Sequence, residues 1–297
     1  MSDSDSLHRF LFEQSGIRGN LVRLDASWRA VLDAHHYPTA VREPLGEALA
    51  AVALLAATIK FDGSLIFQAQ GSGPIRTLVA QATSSRTIRG LARWDGEVPV
   101  DGDLAARFGE GRVVLTIERG VGEPYQGIVP LAGQGIAEAI ERYFGDSEQL
   151  PTRLQLSANA QRAAGLLLQR LPGETDDPQG RLGSSDDWTR VGLLAGTVSP
   201  QELTELAAQD LLHRLFHEDD LRLFDPEPVA FRCGCSRTRI EDMVRALGES
   251  EALSIVTEHG GIEVTCEFCN RQYRLDAVDT GQLFAKATRH EAPPTHH

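Results

Sequence analysis

The chain has 297 residues, 41% of them hydrophobic, and a formal net charge of −13, so it is long enough for two or three domains with a real core. The acidic balance argues against general binding to nucleic acid or to anionic membranes. The start "MSDSDSLHRF" lacks the apolar region of a secretory signal, and the longest apolar run, residues 48–59, is too short to span a bilayer, which together place the protein in the cytoplasm.

Residues 1–173 read as a mixed α/β domain. Residues 40–63 carry a long helix pattern that is apolar nearly all round, the mark of a buried helix. Residues 64–70 alternate as a strand, "GSGP" turns, and residues 75–82 return. Further strands are expected at 87–94, 112–118 and 125–131. A helix follows at 135–150, with Ile136, Ile140, Tyr143 and Phe144 on one face. Strands at 152–158 and 165–172 close the domain, and hairpin-linked strands with few helices give an α+β class. "GSGP" lacks the third glycine of a G-x-G-x-x-G loop, since Arg76 stands there, so it is read as a hairpin turn. Lysine occurs only at Lys60 and Lys286, neither after a glycine, which rules out a Walker-type ATP site.

Residues 174–228 form a different segment, with thirteen acidic side chains against four arginines. It opens with the polar stretch "GETDDPQGRLGSSDD". Ser199, Pro200 and Glu202 then give a helix N-cap, a first-turn proline and a capping box. Residues 210–220 carry a second short amphipathic helix with Leu212, Leu215 and Phe216 on one side. Two readings stand: a solvated connector, or a metastable element that unfolds when its support is removed. His213 and His217 have metal-pair spacing but no H-E-x-x-H, and are read as half-exposed helix residues. The tail, residues 289–297, is expected to be disordered.

All four cysteines fall within residues 229–297, as Cys233-x-Cys235 and Cys266-x-x-Cys269. Reducing cytoplasm keeps thiols free, and four with no spare is the inventory of a tetrahedral zinc site. Residues 264–275 read as a strand, a tight turn and a returning strand, the usual zinc knuckle, with helices at 237–250 and 251–260 between the halves. So small a segment has few large apolar groups, and a structural metal is the natural source of its folding energy. Arg232, Arg237, Arg239, Arg271 and Arg274 flank the cysteines. They are read as favouring thiolates, as touching phosphates, or as balancing Glu241, Asp242, Glu263 and Glu267.

The chain resembles a known family, the bacterial redox-regulated holdase chaperone heat-shock protein 33. The likeness rests on "RFLFEQSGIRG" (9–19), "ATIKFDG" (57–63), "QGSGP" (70–74), "RGLAR" (89–93), "YQGIV" (125–129), "SEQLPTRL" (147–154), "CGCSR" and "CEFCNRQY", in that order. The resemblance implies a core domain (1–173) for dimerisation and client binding, a redox-responsive linker (174–228) and a zinc switch domain (229–297). It implies one Zn²⁺ per chain held by Cys233, Cys235, Cys266 and Cys269 in an inactive reduced state. Oxidants would form the disulfides Cys233–Cys235 and Cys266–Cys269, release the metal and unfold the linker. The chain, as a homodimer, would then hold unfolding client proteins without ATP and without enzymatic turnover. Leu203, Leu206, Leu212, Leu215 and Phe216 are apolar linker residues that unfolding would expose, and so candidate client contacts. A zinc-ribbon nucleic-acid binder is the main rival, and a thiol–disulfide oxidoreductase a third reading. The acidic total and the strand after the C-x-x-C respectively count against them.

Overall fold

The chain begins with a hairpin, β1 (Ser6–Phe12) and β2 (Ile17–Leu24), and continues through α1 (Ala26–Leu32) into the long α2 (Thr39–Thr58). Then come β3 (Gly63–Gly71), β4 (Ile75–Thr83), β5 (Thr87–Trp94), α3 (Leu104–Phe108), β6 (Gly111–Arg119), β7 (Tyr125–Pro130), α4 (Ile136–Asp146), β8 (Thr152–Ala158) and β9 (Ala163–Arg170). This computed structural model describes residues 4–120, 122–171 and 185–290 and divides into two units, Met1–Arg232 and Cys233–His297.

Helix α2 explains the first unit. It packs on β2, β8 and β9 of one sheet and on β3, β4 and β5 of another. Leu45, Leu49 and Val52 on one side of it and Leu54 on the opposite side are all fully buried. A helix covered on two faces has no solvent side, which is why its pattern is apolar all round. The first sheet runs β8–β9–β2–β1, and the second β5–β4–β3–β6–β7. The "GSGP" turn is a backbone packing device: Gly73 donates its N–H to the Phe108 carbonyl at 2.6 Å, and a Cβ on Gly71 would meet that oxygen at 2.0 Å. Helix α4 buries Ile136, Ile140 and Tyr143, with Phe144 packed beside them, as its spacing predicts.

The hairpin β1–β2 has two apolar faces. Alternation sends Leu7, Val22, Leu24 and, from β9, Leu167 toward α2. It sends Phe10, Phe12, Ile17, Leu21, Leu166 and Leu168 to the opposite side. There they meet α5 (Ser185–Ala195), α6 (Pro200–Glu205) and α7 (Ala208–Phe216). The acidic segment is therefore not a solvated connector over residues 185–216: Val191, Leu203, Leu211, Leu212, Leu215 and Phe216 are buried on the sheet. The polar stretch before α5 lies mostly outside the described residues.

Three short strands follow: β10 (Leu221–Leu223), β11 (Glu227–Pro228) and β12 (Ala230–Phe231). The first two pair with β1, and β12 pairs parallel with β5, so one segment edges both sheets.

The second unit contains α8 (Arg237–Leu247), α9 (Glu249–His259), the hairpin β13 (Ile262–Thr265) and β14 (Gln272–Leu275), and α10 (Ala277–His290). Its core is Ile240, Val244, Ala252, Val256, Ile262, Leu275 and Leu283. Arg289 and His290 end α10 rather than beginning a disordered tail; the rest of the tail lies outside the described residues.

Candidate metal centre

Two backbone devices shape the second unit around sulfur. Thr265 pairs with Gln272 across the β13–β14 hairpin, and the six residues between them form its tip. There the Cys266 N–H donates to the Arg271 carbonyl at 2.9 Å, and the Asn270 N–H donates to the Cys266 carbonyl at 2.8 Å. Asn270 takes φ +55°, a left-handed conformation that asparagine tolerates better than most residues. The turn curls Cys266 and Cys269 together. On the other half, Ser236 caps α8 by accepting the Arg239 N–H at 3.2 Å, which ends the extended Cys233-Gly-Cys235 segment.

The four Sγ atoms lie within 4.8 Å of one another. Cys233 and Cys266 are 3.5 Å apart, and Cys235 and Cys269 are 3.4 Å apart. Four bonds of about 2.3 Å in a tetrahedron separate sulfurs by about 3.8 Å, so the observed spread suits one zinc-sized ion. All four thiols are free and partly exposed, within reach of a small oxidant. Burial pushes the Cys233 thiol up from its ordinary value, and burial together with bonds to its sulfur neighbours pushes Cys269 up to about 12. Cys235 also feels burial, but donors led by the Tyr273 hydroxyl override it and bring this thiol down to about 7. A divalent ion at the centre of four such groups deprotonates its thiols outright.

Tyr273 is the residue that sequence reading missed. Its hydroxyl donates to Cys235 Sγ at 3.2 Å from β14. Such an outer partner orients a ligand and tunes its basicity. The only signal was position: Tyr273 stands four residues after Cys269 on the returning strand.

The flanking arginines divide. Arg237 pairs with Glu241 at 3.1 Å and Asp279 at 2.7 Å, tying α8 to α10, and Arg274 faces Glu263 at 3.8 Å. These two balance local acids. Arg271 stays with the site: the Tyr273 hydroxyl, then the charges of Tyr273, Cys235 and Cys269, hold its guanidinium above the usual value.

The apolar linker residues lie elsewhere. Leu203, Leu212, Leu215 and Phe216 are buried on β1, β2 and β9, with Leu206 packed at their margin. The Phe216 ring meets the Phe12 ring edge-on at 5.1 Å. The capping box stands as expected, with Ser199 Oγ accepting the Glu202 N–H at 3.2 Å and the Glu202 carboxylate accepting the Ser199 N–H at 2.9 Å. The other end of α6 is held by the sheet: Arg162 donates to the Thr204 carbonyl at 3.1 Å and Arg23 to the Leu203 carbonyl at 3.4 Å. His213 and His217 are exposed neighbours at the end of α7, and the cysteine quartet is the group found among the described residues that lies close enough together to bind a metal ion. No described helix is long and apolar enough to cross a membrane.

Residues 5–276 match the model of the family described as Hsp33 protein. The chain is 56% identical over 297 residues, the whole of both chains, to a protein named 33 kDa chaperonin from Nitrosococcus oceani. It is 42% identical over 283 residues to the protein of that name from Shewanella frigidimarina, covering 95% of this chain and 96% of that one. Its fold is similar to the crystal structure of a 33 kDa chaperonin from Thermotoga maritima, with a TM-score of 0.83, 22% identity, and 96% and 99% of the two chains covered.

Proposed function

The chain belongs to the Hsp33 family, and on that premise we propose that it is a redox-controlled, ATP-independent holdase chaperone of the cytoplasm. In the reduced state Cys233, Cys235, Cys266 and Cys269 hold one Zn²⁺, which supplies the folding energy that the small core of the second unit lacks. The observation that carries this reading is the gathering of four half-exposed thiols, and no other cysteine, within 4.8 Å.

Oxidation converts ligands into disulfides. With hypochlorite, one thiolate takes the chlorine and hydroxide leaves; the second thiolate attacks that sulfur and chloride leaves. Each pair gives up two electrons, and each hypochlorite is reduced to chloride. Cys233 pairs with Cys235, and Cys266 with Cys269. The second unit then loses the ligands on which its fold depends, and residues 174–228 lose their support. Leu203, Leu206, Leu212, Leu215 and Phe216, with the sheet face beneath them, become surface for unfolding clients. The oxidised chain works as a homodimer and turns over no substrate.

The test is suppression of light scattering from a heat-unfolding client, without ATP. The oxidised chain is expected to suppress it at near-stoichiometric amounts and the reduced, zinc-loaded chain not to. Equal suppression by both, or by neither, contradicts the proposal.

A further inference from the structure

Residues 221–231 run as a strap over the edges of both sheets, ending two residues before Cys233. Leu223, Arg222 and Leu221 pair with Phe10, Leu11 and Phe12. Pro228 and Glu227 pair with Ser6 and Leu7. Ala230 and Phe231 pair with Thr87 and Ile88. The two registers on β1 differ by one residue, so the strap bulges between them. Pro226 and Pro228 have no N–H to give. The strap therefore pairs with an edge that a regular strand would satisfy more fully.

Between the two sheet edges lies a cleft of about 340 Å³. Ala56, Ile59 and Phe61 give it apolar walls, and Arg9, Lys60 and Arg86 give it a cationic rim. Glu227 enters from the strap and bonds both Arg9, on β1, and Arg86, beside β5. Val229, also lining the cleft, is buried and donates its N–H to the Asp5 carbonyl at 2.8 Å.

We propose that the strap is a built-in stand-in for client: the edge of β1, the start of β5 and the cleft of Arg9, Lys60 and Arg86 form a second client surface, which takes an extended segment bearing an acidic residue beside apolar ones. An exposed strand edge binds extended chain through backbone bonds, and side-chain pockets select among sequences. The strap has both features, an extended backbone and a carboxylate next to Pro228, Val229 and Phe231. The surface is closed while the strap is seated. It opens when the unit beginning at Cys233 unfolds, and in this respect the inference rests on the redox reading above.

The probe is a fluorescein-labelled peptide of residues 219–232, "DDLRLFDPEPVAFR", titrated against the full chain and followed by anisotropy. Zinc release and client light scattering are read on the same samples. The peptide should bind the oxidised chain at least about tenfold more tightly than the reduced one. A Glu227→Lys peptide should lose about tenfold, and a reduced, carboxymethylated unfolded protein should displace the peptide. If the oxidised chain releases zinc and suppresses scattering but neither binds the peptide nor has it displaced by client, the strap proposal fails and the chaperone reading stands. If zinc release and suppression are both absent, the two fall together.

Discussion

Replacing Phe216 by alanine should switch the chain on without an oxidant. Phe216 is 1% exposed, its ring meets Phe12 at 5.1 Å and Phe10 at 6.4 Å, and it is the last side chain of α7 before the strap. Truncating a buried phenylalanine costs about 3–5 kcal/mol, cavity included. The loss falls on docking of α5, α6 and α7, because Phe10 and Phe12 remain on their strands. At 1.4 kcal/mol per tenfold, the population with the linker detached should rise by roughly two to nearly four powers of ten. The assay is aggregation of a heat-unfolding client with the reduced variant, zinc content being measured in parallel. The variant should retain its zinc and suppress aggregation constitutively. A variant that keeps its zinc, shows fast hydrogen exchange over residues 200–216 and still fails to hold client would refute linker docking as the restraint.

Three other outcomes follow from the geometry. Tyr273→Phe removes the hydroxyl bonded to Cys235 Sγ, so zinc affinity measured against a competing chelator should fall by about 10–100-fold and the variant should lose metal at lower oxidant doses. Burial, reinforced by Glu43 and opposed by Arg107, raises the Glu47 carboxyl to about 7. The folded core then binds more protons than the unfolded chain between the ordinary carboxylate value and about 7, and its stability falls as pH rises through that window. Glu47→Gln should therefore stabilise the fold at pH 8 by on the order of 1–3 kcal/mol, read as a higher unfolding temperature, with the gain shrinking toward pH 5. Non-reducing peptide mapping of the oxidised chain should find Cys233 joined to Cys235 and Cys266 to Cys269. Since Cys233 and Cys266 lie 3.5 Å apart and Cys235 and Cys269 3.4 Å apart across the halves, these are the pairs whose recovery would contradict the mechanism.

The sequence made α2 and the metal centre legible for different reasons. Residues 40–58 are apolar nearly all round because two sheets enclose them, and the four cysteines have no other employment. The capping box at Ser199 was equally plain, since both partners lie within four residues. The β1–β2 hairpin was not. Covered by α2 on one face and by the linker helices on the other, it lacks polar alternation, and it carries buried His8, Asn20 and Arg23 where a pattern would want apolar residues. Gly19 breaks the strand pattern for a reason only packing reveals: a Cβ there would sit 2.1 Å from the Phe10 ring. Helix α1 has Asp25 at its N-cap, but that side chain makes no capping bond; its N–H groups are capped from a distance, Asp5 accepting from Ala26 at 2.8 Å and Ser27 at 2.9 Å. The strap strands are two or three residues long and interrupted by proline, too short for any period to register. Tyr273 acquires its role only when the hairpin folds back on Cys235.

Residue-level hydrogen exchange during a hypochlorite titration, with zinc release read by a chromogenic chelator, tests the central claim most directly. The account predicts that amides of α6 and α7 lose protection in step with zinc release, while those of α2 and β9 keep theirs, and that thiol reductant plus zinc restores the first group. Complete zinc release with α6 and α7 still protected would show that the metal centre does not govern the linker.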